Sequence, residues 1–181
     1  LMKITIRFWF FVAILACCLA PYLRAQEPLS QRLTFANGLP SNAVYSILED
    51  KKGFIWIACD EGLYQYDGVR FQQFRERDQT SFSGSNLLED KLGRIWYQNF
   101  DGKIFYVENG RILHLNQHAK KQYYPMRLTD TYLFYLDGNE LVVLDIVKLH
   151  EVKRIPVQSP VSSVVFKDNY YYVDNNGLNS I

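Results

Sequence analysis

Cysteine is scarce in this chain, and its placement removes whole classes of protein. Of three cysteines, Cys17 and Cys18 lie in an apolar N-terminal stretch, so Cys59 stands alone in the remaining 163 downstream positions from 19 to 181. One cysteine can form neither an internal disulfide nor a cysteine-based zinc site, so packing alone must hold the fold. Among alternating apolar residues, Cys59 reads as a small buried hydrophobe. Charge of one sign is also lacking: the formal net charge is +1, which gives no nucleic-acid footprint. No apolar run reaches the roughly 20 residues a spanning helix needs. No convincing helical period follows the first 25 residues. No Ser-His-Asp order, phosphate-cradling glycine loop, metal-ligand cluster or quinone-docking tryptophan pattern occurs, so no catalytic residue, cofactor or metal is expected.

Aromatic residues are abundant instead. Thirteen Tyr, twelve Phe and three Trp make up 15% of the chain and favour strands, because flat side chains pack well on a pleated surface. At 181 residues there is room for one domain or slightly more.

The charge is split between the ends. Residues 1–25 hold Lys3, Arg7 and Arg24 and no acid; removing these three from the 20 basic residues leaves 17 against 19 acidic, about −2. The basic start leads into thirteen apolar residues from Phe8 to Ala20, then Pro21 and Leu23-Arg24-Ala25 before Gln26. This order reads as a secretory signal peptide over residues 1–25. Ile14-Leu15-Ala16-Cys17 loosely resembles a lipoprotein processing site, which leaves lipidation of Cys17 as an alternative. Leu1 precedes Met2, and Met2 is taken as the start.

A repeat follows. Ile47-Leu48-Glu49-Asp50-Lys51-Lys52-Gly53-Phe54-Ile55-Trp56 returns forty residues later as Leu87-Leu88-Glu89-Asp90-Lys91-Leu92-Gly93-Arg94-Ile95-Trp96, and Gly62 and Gly102 keep the offset. Two weaker copies place Tyr132 six residues before Gly138 and Tyr171 six before Gly177. In the first period, residues 43–49, 55–59, 63–66 and 70–74 read as four strands joined by Asp- and Gly-bearing hairpins. Four antiparallel strands in about forty residues form one blade of a β-propeller. The expected fold is therefore all-β: four-stranded antiparallel blades at about 43–74, 86–115 and 125–156, and part of a fourth at 161–181. Arg32-Leu33-Thr34-Phe35 is expected to be a ring-closing outer strand. A chain truncated within its propeller is one reading; a closed ring of four blades is another.

The stretch from Leu33 through Gly38-Leu39-Pro40-Ser41-Asn42, Glu49-Asp50, Gly53-Phe54-Ile55-Trp56-Ile57 and Gly62-Leu63-Tyr64-Gln65-Tyr66-Asp67-Gly68 resembles the two-component regulator propeller repeat. Blade two keeps Glu89-Asp90, Gly93, Ile95-Trp96 and Gly102 but has Lys103 where the pattern has leucine. The likeness is specific over residues 33–107 and thin afterwards. It implies the periplasmic sensor region, here residues 26–181, of a Bacteroidetes-type sensor histidine kinase or hybrid receptor. It further implies a small-molecule or glycan ligand, a homodimeric full-length receptor, and membrane contact only through a region beyond Ile181. The kinase chemistry would also lie there, so this segment is not itself expected to be an enzyme. A stand-alone secreted propeller that binds or cleaves glycans is the alternative.

The remaining candidates read as structural. Glu49-Asp50 and Glu89-Asp90 look like carboxylate pairs, but strand neighbours point to opposite faces, and Asp before such a turn caps its own backbone. Histidines His114 and His118 have no third ligand nearby, and His150 is isolated. Trp56, Trp96, Tyr132 and Tyr171 are expected between blades rather than on a stacking surface. The loop aromatics Tyr123 and Tyr124, beside Lys120 and Lys121, are the ligand-facing candidates. For the N-terminus, sequencing of protein exported by a Gram-negative host should begin at Gln26 or within a few residues; a lipid-modified Cys17 would replace that reading.

Overall fold

The structure is a computed structural model that describes residues 30, 32–77, 79, 81–115, 123–157 and 162–181. The chain divides into two units, Leu1–Arg32 and Leu33–Ile181, and the fold lies in the second. The expected signal peptide falls outside the described residues, as does His118.

Four separate antiparallel sheets follow one another along the chain. Blade one contains β1 (Val44–Glu49), β2 (Ile55–Cys59), β3 (Gly62–Tyr66) and β4 (Phe71–Phe74). Blade two contains β5 (Gly84–Glu89), β6 (Ile95–Asn99), β7 (Ile104–Glu108) and β8 (Arg111–His114). Blade three contains β9 (Arg127–Leu128), β10 (Tyr132–Asp137), β11 (Glu140–Asp145) and β12 (His150–Pro156). Blade four contains β13 (Ser162–Phe166), β14 (Asn169–Asp174) and β15 (Gly177–Ser180). In every sheet the order in space is the order in sequence. Each blade is thus an up-and-down meander closed by hairpins, and short connections carry the chain from one blade to the next.

The Asp–Gly turn of the repeat is a hydrogen-bonded clip. Asp50 Oδ1 accepts from the backbone N–H of Lys52 and Phe54 at 2.9 Å each. Its Oδ2 accepts from the Trp56 indole Nε1 at 2.8 Å. Blade two repeats the set: Asp90 Oδ1 accepts from Leu92 and Arg94 at 2.9 and 3.0 Å, and Oδ2 from Trp96 Nε1 at 2.9 Å. Gly53 and Gly93 stand at φ +83° and +77°, the left-handed region that a side chain resists. Arg94 adds a short ion pair with Asp90 at 2.7 Å, and both side chains are almost wholly buried. Blade three replaces the clip with a tighter one, in which Thr129 Oγ1 accepts from Thr131 and Tyr132.

Three apolar layers sit between the blades. Trp56, Leu63 and Phe74 of blade one meet Ile95, Tyr97 and Phe105 of blade two. Trp96 and Tyr106 of blade two meet Leu133, Tyr135 and Val142 of blade three. Phe134 and Val143 of blade three meet Tyr170 and Tyr172 of blade four, with the Phe134 and Tyr170 rings stacked at 4.5 Å. Cys59 is a fully buried free thiol, as its alternating strand implied. The opposite face of blade four exposes Val164, Phe166, Val173 and Leu178.

Two expectations need correction. Phe35 is not in a strand: Phe35–Asn37 is a 3-10 turn capped by Gly38 at φ +90°, and Arg32-Leu33-Thr34 pair with no strand among the described residues. The turn is held because Asn42 Oδ1 accepts from the Phe35 N–H at 3.2 Å, a local alternative to strand pairing. The second correction concerns Tyr132, which is half-buried and packs against the layer between blades three and four as expected, but at another repeat position. Counting from the pair that closes the first turn, Asp50–Phe54 in blade one and Thr129–Tyr132 in blade three, the counterpart of Trp56 is Phe134. The glycine count slips by two because Gly138 lies inside its two-residue hairpin loop, whereas Gly62 follows one. Tyr171 does match Trp56, since Gly177 follows its loop as Gly62 does; it is half-buried.

Trp56→Ala and Trp96→Ala should each cost about 3–5 kcal/mol, the range for a buried large side chain. Asp90→Ala should cost a comparable amount, about 3–5 kcal/mol, because it strands the buried Arg94 charge. Urea denaturation of the purified variants measures both; a loss below about 1 kcal/mol for Asp90→Ala would mean that the clip is dispensable.

Candidate functional site

Strand alternation fixes two loop-bearing ends. The turns from first to second strand of all four blades lie at one end, and the blade-to-blade connections lie at the other. At the first end, these turns surround a cavity of about 340 Å³ lined by Lys51, Glu89, Lys91, Asp130, Lys167 and Asp168. Every blade contributes. Lys51, Lys91, Asp130 and Lys167 occupy one repeat position, the first turn residue after the first strand. In blade four that turn has just two residues, Lys167 and Asp168, at φ +48° and +61°, the geometry of a tight hairpin.

Three ammonium and three carboxylate groups balance around this funnel, so it favours neither sign. It can offer donors and acceptors together. Part of the wall is fixed: the Lys51 N–H donates to Glu89 Oε2 at 3.1 Å, and Lys51 Nζ donates to the Asp90 carbonyl at 3.2 Å, joining blades one and two. Lys167 Nζ lies 5.3 Å from the Phe166 ring.

The Glu-Asp neighbours separate as strand geometry requires. Asp50 and Asp90 turn inward to their clips, Glu49 is exposed, and Glu89 faces the funnel. Neither pair forms a dyad. Glu89 and the turn residues were legible only as members of a repeat position; nothing in their type marked them.

Tyr123 and Tyr124 lie in the connection before β9, hence at the opposite end from the funnel. Tyr123 joins an aromatic strip: its ring meets Phe100 edge-on at 5.3 Å, and Phe100 meets Tyr45 edge-on at 5.0 Å. Tyr45 and Phe100 are exposed, and the Tyr45 hydroxyl donates to the Asp60 carboxylate, which pushes its pKa up. Tyr124 instead packs into the layer between blades three and four. Of the two candidates, one is on a surface strip and one is structural.

The described histidines sit on outer strands, away from both features. His150 is exposed. His114 stacks on Phe105 at 4.8 Å with its Nε2 buried and unpartnered. Burial lowers its pKa; the Glu76 carboxylate 3.9 Å away opposes this but does not prevail. Among the described residues no group of three His, Cys, Asp or Glu side chains could hold a metal ion.

The fold defines a β-propeller segment, and comparisons with known proteins agree. Residues 38–61 match the family model described as two component regulator propeller. Those residues run from the Gly38 cap to Glu61 and include Asn42, the Asp50 clip and Trp56, whose bonds are described above. No curated protein sequence matches the chain. Among solved structures, the chain is similar to what is described as the extracellular domain of a hybrid two component system from B. thetaiotaomicron, with TM-score 0.64 and 17% identity over 78% of this chain and 22% of that one. It is also similar to an inactive variant of virginiamycin B lyase from Staphylococcus aureus bound to quinupristin, with TM-score 0.61 and 14% identity over 79% and 57%. BamB from Moraxella catarrhalis gives 0.55 and 13% over 78% and 47%. The chain therefore spans less than two thirds of these proteins, and at such identities the likeness shows the fold alone.

The lowered His114 pKa makes a signed prediction. As pH falls below about 6.5, the ordinary histidine value, the unfolded chain gains a proton that folded His114 refuses. Stability should therefore fall from pH 6.5 downward until the folded pKa is passed, with no His114 contribution above that window. A His114→Phe variant should show a flatter profile there in denaturant titrations; an unchanged profile would remove His114 as the cause.

Proposed function

We propose that this propeller is the ligand-sensing part, outside the cytoplasm, of a two-component receptor whose kinase output is carried by other segments of the whole protein. The observation that carries this reading is the two component regulator propeller match at residues 38–61, within blades whose turns converge on one funnel. A ligand held by loops from several blades contacts all of them at once. It can shift their arrangement only through unequal affinity for two states, and a site shared among blades is where such a difference arises. The balanced charges of the funnel favour a small molecule that presents both donors and acceptors, glycans included. Export by the N-terminal basic and apolar segment accords with this location.

A lyase reading rests on likeness of fold to virginiamycin B lyase at 14% identity. The charged residues at the funnel are lysines and carboxylates, with no described histidine among them.

Two measurements test the proposal. The whole gene should encode a membrane segment and a histidine kinase, and its product in membranes should incorporate label from ATP. Thermal unfolding of the full chain against free sugars, oligosaccharides and amino acids should show one class that raises Tm. Saturation at 100 times Kd is worth about 2.7 kcal/mol, and Lys91→Glu should weaken the effect about tenfold or more. A gene product with neither membrane segment nor kinase, or linearisation of virginiamycin B by this chain, would overturn the sensor reading.

A further inference from the structure

The junction between blades one and two differs from the next junction in a way the repeat makes measurable. Across the face of blade one that meets blade two, one register row runs Leu48, Trp56, Gln65, Gln72. The same row of blade two runs Leu88, Trp96, Tyr106, Leu113. Blade two shows what closes such a junction. Tyr106 lies 5.0 Å from the Trp96 ring and joins the packed layer against blade three. In blade one, amides occupy both of those positions, and the blades part toward the rim.

What remains is a cavity of about 280 Å³. Trp56 and Phe74 line its inner side, Gln65 and Gln72 one wall, and Glu108 and Asn109 the other. The Trp56 indole N–H is already taken by Asp50 and its ring is packed on Phe74 and buried, so it forms the floor of the cleft and offers no free polar group. Among the described residues neither glutamine amide has a hydrogen-bond partner. Both are accessible to solvent, so this costs little without a ligand, but it leaves two adjacent groups that each donate and accept. Four charged side chains border the cleft, Asp50, Lys52, Arg94 and Glu108; Glu108 lies 3.9 Å from Arg94, which also pairs with Asp90.

We propose that this inter-blade cleft is a binding site, separate from the funnel, for a neutral polyhydroxylated molecule about the size of one sugar ring. Vicinal hydroxyls both donate and accept, as paired amides require. The charges that border the cleft, Asp50 and Glu108 against Lys52 and Arg94, sum to zero and so favour neither sign of ligand, and the volume lies at the small end of ligand sites, about 300 Å³. The site does not depend on the receptor reading, because it is built from blades one and two alone.

The test uses the full chain and its ¹⁵N side-chain amide resonances, titrated with D-glucose, D-galactose, D-mannose and myo-inositol. At least one should shift the Gln65 and Gln72 signals saturably, with Kd near or below about 1 mM. Gln65→Tyr with Gln72→Leu installs the row of blade two. It should abolish the shift of neighbouring backbone signals while Tm holds or rises, which separates lost binding from lost folding. Gln72→Leu alone should weaken binding at least tenfold. If none of the four probes gives a saturable shift, the cleft is only a hydrated gap and the proposal fails. It fails equally if binding persists undiminished in the double variant, since the ligand would then sit elsewhere.

Discussion

A carboxylate folded back beneath its own turn is the interaction on which this structure depends. Asp50 and Asp90 each gather two backbone N–H groups of the turn and the indole N–H of a tryptophan six residues on. Burying a carboxylate is costly unless it is paired and hydrogen-bonded, and here the bonding is local and short. The clip links three levels at once. It fixes the turn, sets the register of first strand on second, and holds the tryptophan ring where the next blade will press against it. The neighbouring turn residue then points into the funnel, so the element that builds the core also presents the loop.

The clip also explains why the blades differ. Where it is kept, in blades one and two, a tryptophan anchors the junction. Blade three has Thr129 in its place and a tighter turn, and its core is carried by Phe134, Leu136 and Val143. Blade four has only a two-residue hairpin, and Tyr170 and Tyr172 supply its packing. The fading resemblance along the sequence is a physical change in how each first turn is secured. The propeller persists because its demand on later blades is general: alternating apolar residues on both faces of a meander.

Function and fold are divided between positions of the repeat. Residues facing neighbouring blades are large and apolar, and those at the turns are charged and small. Gln65 and Gln72 break that division, since they place amides where packing is expected. Gln98 does so more deeply, fully buried between blades with neither amide atom bonded.

Much of the molecule was legible in the chain because its signals are local. The forty-residue offset, hairpin residues and alternation pointed to four-stranded blades, the four strands read in the first period lie within one residue of β1 to β4, and the Asp-Lys-x-Gly turn announced that Asp50 would cap its backbone. Tyr132 and Phe35 show where local reading stops. A spacing from a glycine cannot tell whether that glycine lies in a hairpin loop or after it, and an alternating tetrapeptide such as Arg32-Leu33-Thr34-Phe35 cannot tell whether Asn42 will bend its end into a 3-10 turn. The funnel, the Tyr45–Phe100–Tyr123 strip and the open cleft at Gln65 belong to the tertiary structure alone. Each joins residues from different blades, tens of positions apart, and such residues become neighbours only when the apolar faces of successive sheets are pressed together and hidden from water.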